Sequence, residues 1–328
     1  MPHRSLRALP VAFALLVLIG CAPTAATLGN QADLRRASSP TVTTKKRNTA
    51  PTSRPAAPTT AVTPSVAPTT APTPTTAPAA TPPASGRTYP WHTNIISTTF
   101  WVGEIFNASL ADGSQVCSTY DSQWALHFGG ANLGTVPSGS PGCPGSTWGT
   151  CDGTWNATHT QCATEIRTAT NNYYPTQLTP LENPFYLDLP YDDINDTTGY
   201  ANRCTTIPWA NDPGWAGHCT DQNFSYMKNR WVQITGPNGN TCYGQIQDAG
   251  PSHGNLYHDS TYVFGTNNTQ PTQGQFNNAG MDVSPALNGC LGFAELDGQN
   301  DKINWRFIDQ ANVPTGPWTH TITTRQTS

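Results

Sequence analysis

A mainly β domain is predicted for residues 87–328 from three observations. Segments 231–234 (Trp231, Val232, Gln233, Ile234), 242–247 (Cys242 to Gln247) and 303–307 (Ile303 to Phe307) alternate in the manner of half-buried strands. Turn signals recur between short segments, as at Pro237-Asn238-Gly239 and Asp297-Gly298, and the domain is rich in Gly, Asn, Thr, Trp and Tyr. Helical periodicity is scarce. The first two strands are separated by residues 235–240, a Gly/Asn loop suited to a hairpin. The second runs into Asp248, Ala249, Gly250 and Pro251, so a carboxyl leaves a strand directly into a turn.

The N-terminal part reads differently. Arg4 and Arg7 precede an apolar run, Val11 to Ile19, that is too short for a permanent bilayer span and matches a signal-peptide core. The run ends in Leu18-Ile19-Gly20-Cys21, which resembles the bacterial lipobox. That resemblance implies removal of residues 1–20, diacylation of Cys21 and a firm membrane anchor. The alternative is an ordinary secretory signal cleaved near Ala26. Residues 21–86 form a linker: between Ser39 and Gly86 there are 11 Pro and 14 Thr in 48 residues and no Leu, Ile, Phe, Tyr or Trp. Such a segment has too little to bury to offset its ordering entropy. In extended polyproline geometry, at roughly 3.1 Å per residue, it would reach about 150 Å. The expected location is the cell surface, held by lipid, with secretion as the alternative.

Charge divides at the same boundary. Residues 1–86 carry eight Lys/Arg and one acid, a balance of +7, whereas residues 87–328 carry eight Lys/Arg and nineteen acids, a balance of −11. An acidic domain argues against nucleic acid as a partner and favours neutral glycan over anionic polymers.

Besides Cys21 the chain has Cys117, Cys143, Cys151, Cys162, Cys204, Cys219, Cys242 and Cys290. An even number in an exported domain reads as up to four disulfides, with Cys143, Cys151 and Cys162 stapling one region among themselves or with Cys117. Clustered cysteines also suggest zinc, but no Cys-x-x-Cys pair occurs.

The order of these segments resembles double-psi β-barrels of the rare lipoprotein A and expansin group, and more distantly family 45 glycoside hydrolases. It is carried by residues 229–234, by 242–251 with Asp248 before Gly250-Pro251, by 280–287 with Gly280, Met281, Asp282, Val283 and Ser284, and by 303–308. The resemblance implies a six-stranded double-psi barrel with its core at about 95–104 and 225–310, a first strand near Thr98 to Glu104, and a long disulfide-stapled insertion at 105–224. It also implies an exported protein that acts on cell-wall or other polysaccharide. Ala249 stands where the group commonly has Arg, the Gly-Arg step before residue 282 is missing, and the lytic members' histidine has no counterpart.

Glycosidic cleavage needs a carboxylic acid for the leaving oxygen and often a second carboxylate. Asp248, Asp282 and Glu104 are the catalytic candidates, because the resemblance places the first two at one groove and gives family 45 enzymes a base just after the first strand. In a plainer reading Asp248 accepts backbone N–H groups in its turn and Asp282 caps residues 284–287 as a helix N-terminus. Trp101, Tyr243 and Tyr257, like Trp209 and Trp215, are flat surfaces for sugar stacking or else core. His253 and His258 are proton carriers near Asp248, or ligands with Asp259, or surface histidines. The acidic run 187–196 suggests calcium but lacks the EF-hand glycine. No cofactor or metal and a monomeric state are expected. The expected partners are polysaccharide or peptidoglycan, and the membrane through the anchor. The rival functions are a glycan-cleaving enzyme of the lytic transglycosylase or glycosidase kind, an expansin-like binding or wall-loosening module, and a structural wall protein.

Overall fold

The computed structural model describes residues 86–108, 113–140, 142–252, 257–272, 276–296 and 300–327. The expected signal peptide at 1–20, Cys21, almost all of the expected Pro/Thr-rich linker and His253 lie outside the described residues. Six strands close into a barrel: β1 (His92–Thr99), β4 (Tyr186–Leu189), β5 (Trp231–Thr235), β6 (Thr241–Ala249), β7 (Ala279–Val283) and β8 (Asp301–Ile308), in the order β1-β7-β4-β6-β5-β8. The pairs β1/β7 and β4/β6 are parallel, and the remaining neighbours are antiparallel. A two-stranded ribbon, β2 (Thr154–Trp155) with β3 (Cys162–Ala163), and four α-helices lie outside the barrel: α1 (Trp124–Gly129), α2 (Thr197–Thr206), α3 (Ser260–Val263) and α4 (Pro285–Leu291).

Strands β5 and β8 behave as their alternation demands. In β8 the buried positions Ile303, Trp305 and Phe307 face the barrel core, and Asn304 is exposed between them. The interior is completed by Ile95, Leu187, Leu189, Val232, Ile234, Cys242, Ile246, Met281 and Val283. Strands β4 and β7 are buried along their whole length. Strands covered on both faces lose alternation, and that hid β4 in the sequence.

Three expectations are corrected here. Segment 105–224 is not all insertion, because β4 lies within it and sits between β7 and β6. The first strand ends at Thr99, so Trp101 to Glu104 follow it as a turn in which Glu104 N–H donates to the Trp101 carbonyl at 2.8 Å. Asp282 does not cap a helix: it lies inside β7, and Ser284 caps α4 by accepting the Leu287 N–H at 3.2 Å, with Pro285 preset for the first turn.

The turn after β1 and the 116–148 part of the insertion pack as a second apolar cluster of Phe100, Val102, Val116, Trp124, Ala125, Phe128, Val136 and Trp148 around Tyr186 of β4, whereas Tyr120, Ile207, Trp209 and Ala210 join the barrel core. All eight domain cysteines pair, as Cys117–Cys143, Cys151–Cys162, Cys204–Cys219 and Cys242–Cys290. The last bond ties β6 to α4. Gly244 permits that close packing, since a Cβ there would come within 2.8 Å of both Leu287 Cδ1 and the Phe185 carbonyl. Among the described residues no helix is long and apolar enough to cross a membrane.

Candidate functional site

Three aspartates form a row across the barrel wall. Asp188 of β4 is in register with Asp248 of parallel β6 on one side and with Asp282 of antiparallel β7 on the other. The β4/β6 register steps from Leu187↔Ile246 to Asp188↔Asp248 and skips Gln247, a bulge that brings Asp248 opposite Asp188. Asp188 then locks the row by accepting the Asp282 backbone N–H on Oδ1 at 2.8 Å. Its Oδ2 lies against Gly250, where a Cβ would come within 2.4 Å of it. The Gly in the turn after Asp248 thus makes room for the neighbouring carboxyl.

All three are buried, at 6% exposure for Asp248 and 4% for Asp188 and Asp282. The cover over Asp248 is the turn at 118–121, where Thr119 N–H donates to Asp248 Oδ1 at 2.8 Å. The Ala249 N–H donates to the same oxygen at 2.8 Å. Tyr120 donates its hydroxyl to the Tyr191 carbonyl at 3.0 Å, and Asn195 Nδ2 donates to the Thr119 carbonyl at 2.7 Å, so the cover is fastened at both ends.

Burial dominates the electrostatics. It pushes the Asp248 carboxyl up from 3.8 to about 7; the backbone N–H groups of Thr119 and Ala249 oppose this, and the nearby charge of Asp192 reinforces it. Asp192 is itself raised to about 6 by burial, against the N–H groups of Asn195 and Ile194. Burial and the surrounding aspartates hold the Tyr120 phenol well above 10. The site therefore holds a carboxyl that carries its proton for part of the time at neutral pH.

The other candidates are scattered. Glu104 is buried in the turn after β1, outside the row. Trp101 is half-buried and donates its indole N–H to the Cys162 carbonyl at 3.0 Å. Tyr243 is half-buried against Trp318, and Trp209 lies fully in the core. Tyr257 N–H donates to Asp196 Oδ2 at 3.2 Å, and His258 Nδ1 lies 2.9 Å from both oxygens of the same carboxylate. The acidic run 187–196 is consumed by the chain: Asp192 accepts the N–H groups of Ile194 and Asn195, Asp193 accepts from Ser225 and Tyr226, and Asp196 caps α2.

Asp188 was not singled out as catalytic because its place depends on β4, which the sequence pattern does not reveal. Its only local signal was a carboxyl embedded in an apolar run, Leu187-Asp188-Leu189. Comparison with known proteins finds no matching family model, no matching curated protein and no matching solved structure.

Proposed function

We propose that the chain is an exported, surface-tethered protein whose barrel, of the double-psi type, acts on cell-wall or other polysaccharide, with Asp248 as the general acid. The observation that carries this reading is the register row Asp248–Asp188–Asp282, in which Asp248 holds its proton to about pH 7. A carboxylic acid in that state can protonate a glycosidic oxygen. Asp282 lies two strand spacings away, roughly 9–10 Å at the backbone, with Asp188 between them as a further carboxylate of the row. The lipobox-like Cys21, the Pro/Thr-rich linker and the four disulfides support an extracellular setting, anchored by lipid, or else secreted.

A second reading, glycan binding without cleavage, is favoured by the burial of the row under the turn at 118–121. The two part on one experiment. The mature protein is incubated with peptidoglycan and with neutral glucans, and soluble fragments and bound protein are both measured. Release by the wild type that Asp248→Asn abolishes, with binding kept, supports the acid. Binding without release assigns the module to the second reading, and neither binding nor release leaves a structural wall protein.

A further inference from the structure

A second cluster of ligating side chains lies on the insertion. Asp121 ends the turn that covers Asp248, and its Oδ1 accepts the Gln123 N–H at 2.9 Å at the start of α1. His127, in the last turn of α1, places Nδ1 2.9 Å from Asp121 Oδ1 and 2.7 Å from Oδ2. Glu182 is brought alongside by its neighbour Leu181, whose N–H donates to the Phe128 carbonyl at 2.8 Å. One donor atom from each of Asp121, His127 and Glu182 lies within 4.8 Å of the others.

Glu182 is the telling member. It is 5% exposed, and neither of its carboxyl oxygens has a hydrogen-bond partner among the described residues. Arg325 Nε stands 3.7 Å from Oε1, at ion-pair rather than hydrogen-bond distance. A buried carboxylate left so is costly unless something else coordinates it.

We propose that Asp121, His127 and Glu182 form a binding site for one divalent cation of the zinc class. One imidazole nitrogen and two carboxylate oxygens are a mixed donor set that suits zinc, whereas calcium takes six or more oxygens. Bonds of about 2.0–2.2 Å to a tetrahedral ion place the donors roughly 3.3 Å apart, so a pair at the 4.8 Å limit closes by about 1.5 Å around the ion. His127 is the partly exposed member at 19% of its side chain, and three protein ligands leave a fourth position to water. Lys228 is the competing cation: its Nζ lies 3.7 Å from Asp121 Oδ2 and donates to the Gln326 carbonyl at 3.2 Å. The 54 residues between His127 and Glu182 kept this site out of any spacing motif.

The mature protein, stripped with a chelator, is titrated calorimetrically with Zn2+ and, separately, with Ca2+; bound metal is counted after dialysis. The expected result is one Zn2+ per chain and no Ca2+. His127→Ala and Glu182→Gln should each weaken zinc binding by about tenfold or more, and Lys228→Met should tighten it. Circular dichroism checks each variant's fold, and if Glu182→Gln fails to fold, the partly exposed His127→Ala carries the test. No zinc uptake, or uptake that His127→Ala leaves unchanged, overturns the proposal.

Discussion

Thr119 donates its backbone N–H to Asp248 Oδ1 at 2.8 Å, across 129 positions of sequence. The contact joins the insertion to the barrel at Asp248, whose carboxyl is raised to about 7 by burial. Because the donor is a backbone group, its position depends on the fold of the turn and not on a rotamer. Tyr120 and Asn195 fix that turn from either side, so the environment of Asp248 is set by how the insertion docks.

Stability should fall as pH rises from about 4 to about 8. Asp248 is raised to about 7 and Asp192 to about 6, both chiefly by burial. In that window the folded chain binds more protons than the unfolded one, so the slope of unfolding free energy with pH is negative. For Asp248 alone the ceiling is about 4 kcal/mol, from a shift of about three pH units. His92, lowered chiefly by burial, works in the opposite sense in the part of this window below about 6.5, as one group against two. Urea denaturation at pH 5, 6.5 and 8 should show midpoints falling in that order. Asp248→Asn keeps an acceptor for Thr119 and should flatten the profile; an unchanged slope would refute the assignment.

Tyr186→Phe should destabilise the fold by about 1–3 kcal/mol, although it removes one exposed-surface-free hydroxyl and no apolar area. The Tyr186 hydroxyl accepts the Val102 N–H at 3.0 Å and donates to Asp152 Oδ2 at 2.9 Å. Asp152 is buried and paired with Arg167 at 2.7 Å. The hydroxyl therefore links barrel strand β4 to the turn after β1 and to the insertion, and its loss leaves a buried donor and a buried carboxyl oxygen short of partners. Tyr243→Phe, at a half-buried site, is the control and should change stability by no more than about 0.5 kcal/mol. Equal effects in denaturant titrations would sink the argument.

Arg203→Met should cost about 3 kcal/mol or more. This guanidinium is 1% exposed and donates to the carbonyls of Asp193, His218, Cys219, Asp221 and Phe224, at 3.2 Å for Asp193, 3.1 Å for Cys219 and 2.8 Å for Phe224. It organises the 218–224 loop, which has little regular structure to satisfy its own carbonyls. Arg203→Lys should recover only part of the loss, because an ammonium has three donors and no fork. Thermal unfolding of the three proteins gives the order: wild type, Lys, Met.

Strands β5, β6 and β8 were legible because one face of each meets less tightly packed surroundings, leaving half-exposed or exposed positions such as Gln233, Tyr243, Asn304 and Arg306 between buried ones. Strand β4 was not, since all four of its residues are buried, Tyr186 against a second apolar layer and Asp188 within the row it forms with Asp248 and Asp282. That is also why the aspartate row was seen only at its ends: Asp248 and Asp282 sit in recognisable segments, and Asp188, which joins them, lies in the hidden strand. The Asp121, His127 and Glu182 cluster left no sequence trace at all, because it forms only when residues 121–127 and 182 are brought together by the packing around Phe128.

The disulfides should contribute unequally. Cys242–Cys290 spans 48 positions and Cys151–Cys162 only 11, so loop-closure entropy assigns about 4 kcal/mol to the first and about 3 kcal/mol to the second. Packing widens the gap. Cys242 is fully buried inside the barrel and its partner lies on α4, so removing the bond frees the helix that covers β6 and Gly244. The other bond closes a ribbon of two two-residue strands, β2 and β3, already joined by a short loop. In guanidinium titrations the Cys242→Ala/Cys290→Ala double variant should therefore unfold at a clearly lower midpoint than Cys151→Ala/Cys162→Ala. If the two midpoints coincide, or their order is reversed, α4 is not held to the barrel by its disulfide in the way the packing indicates.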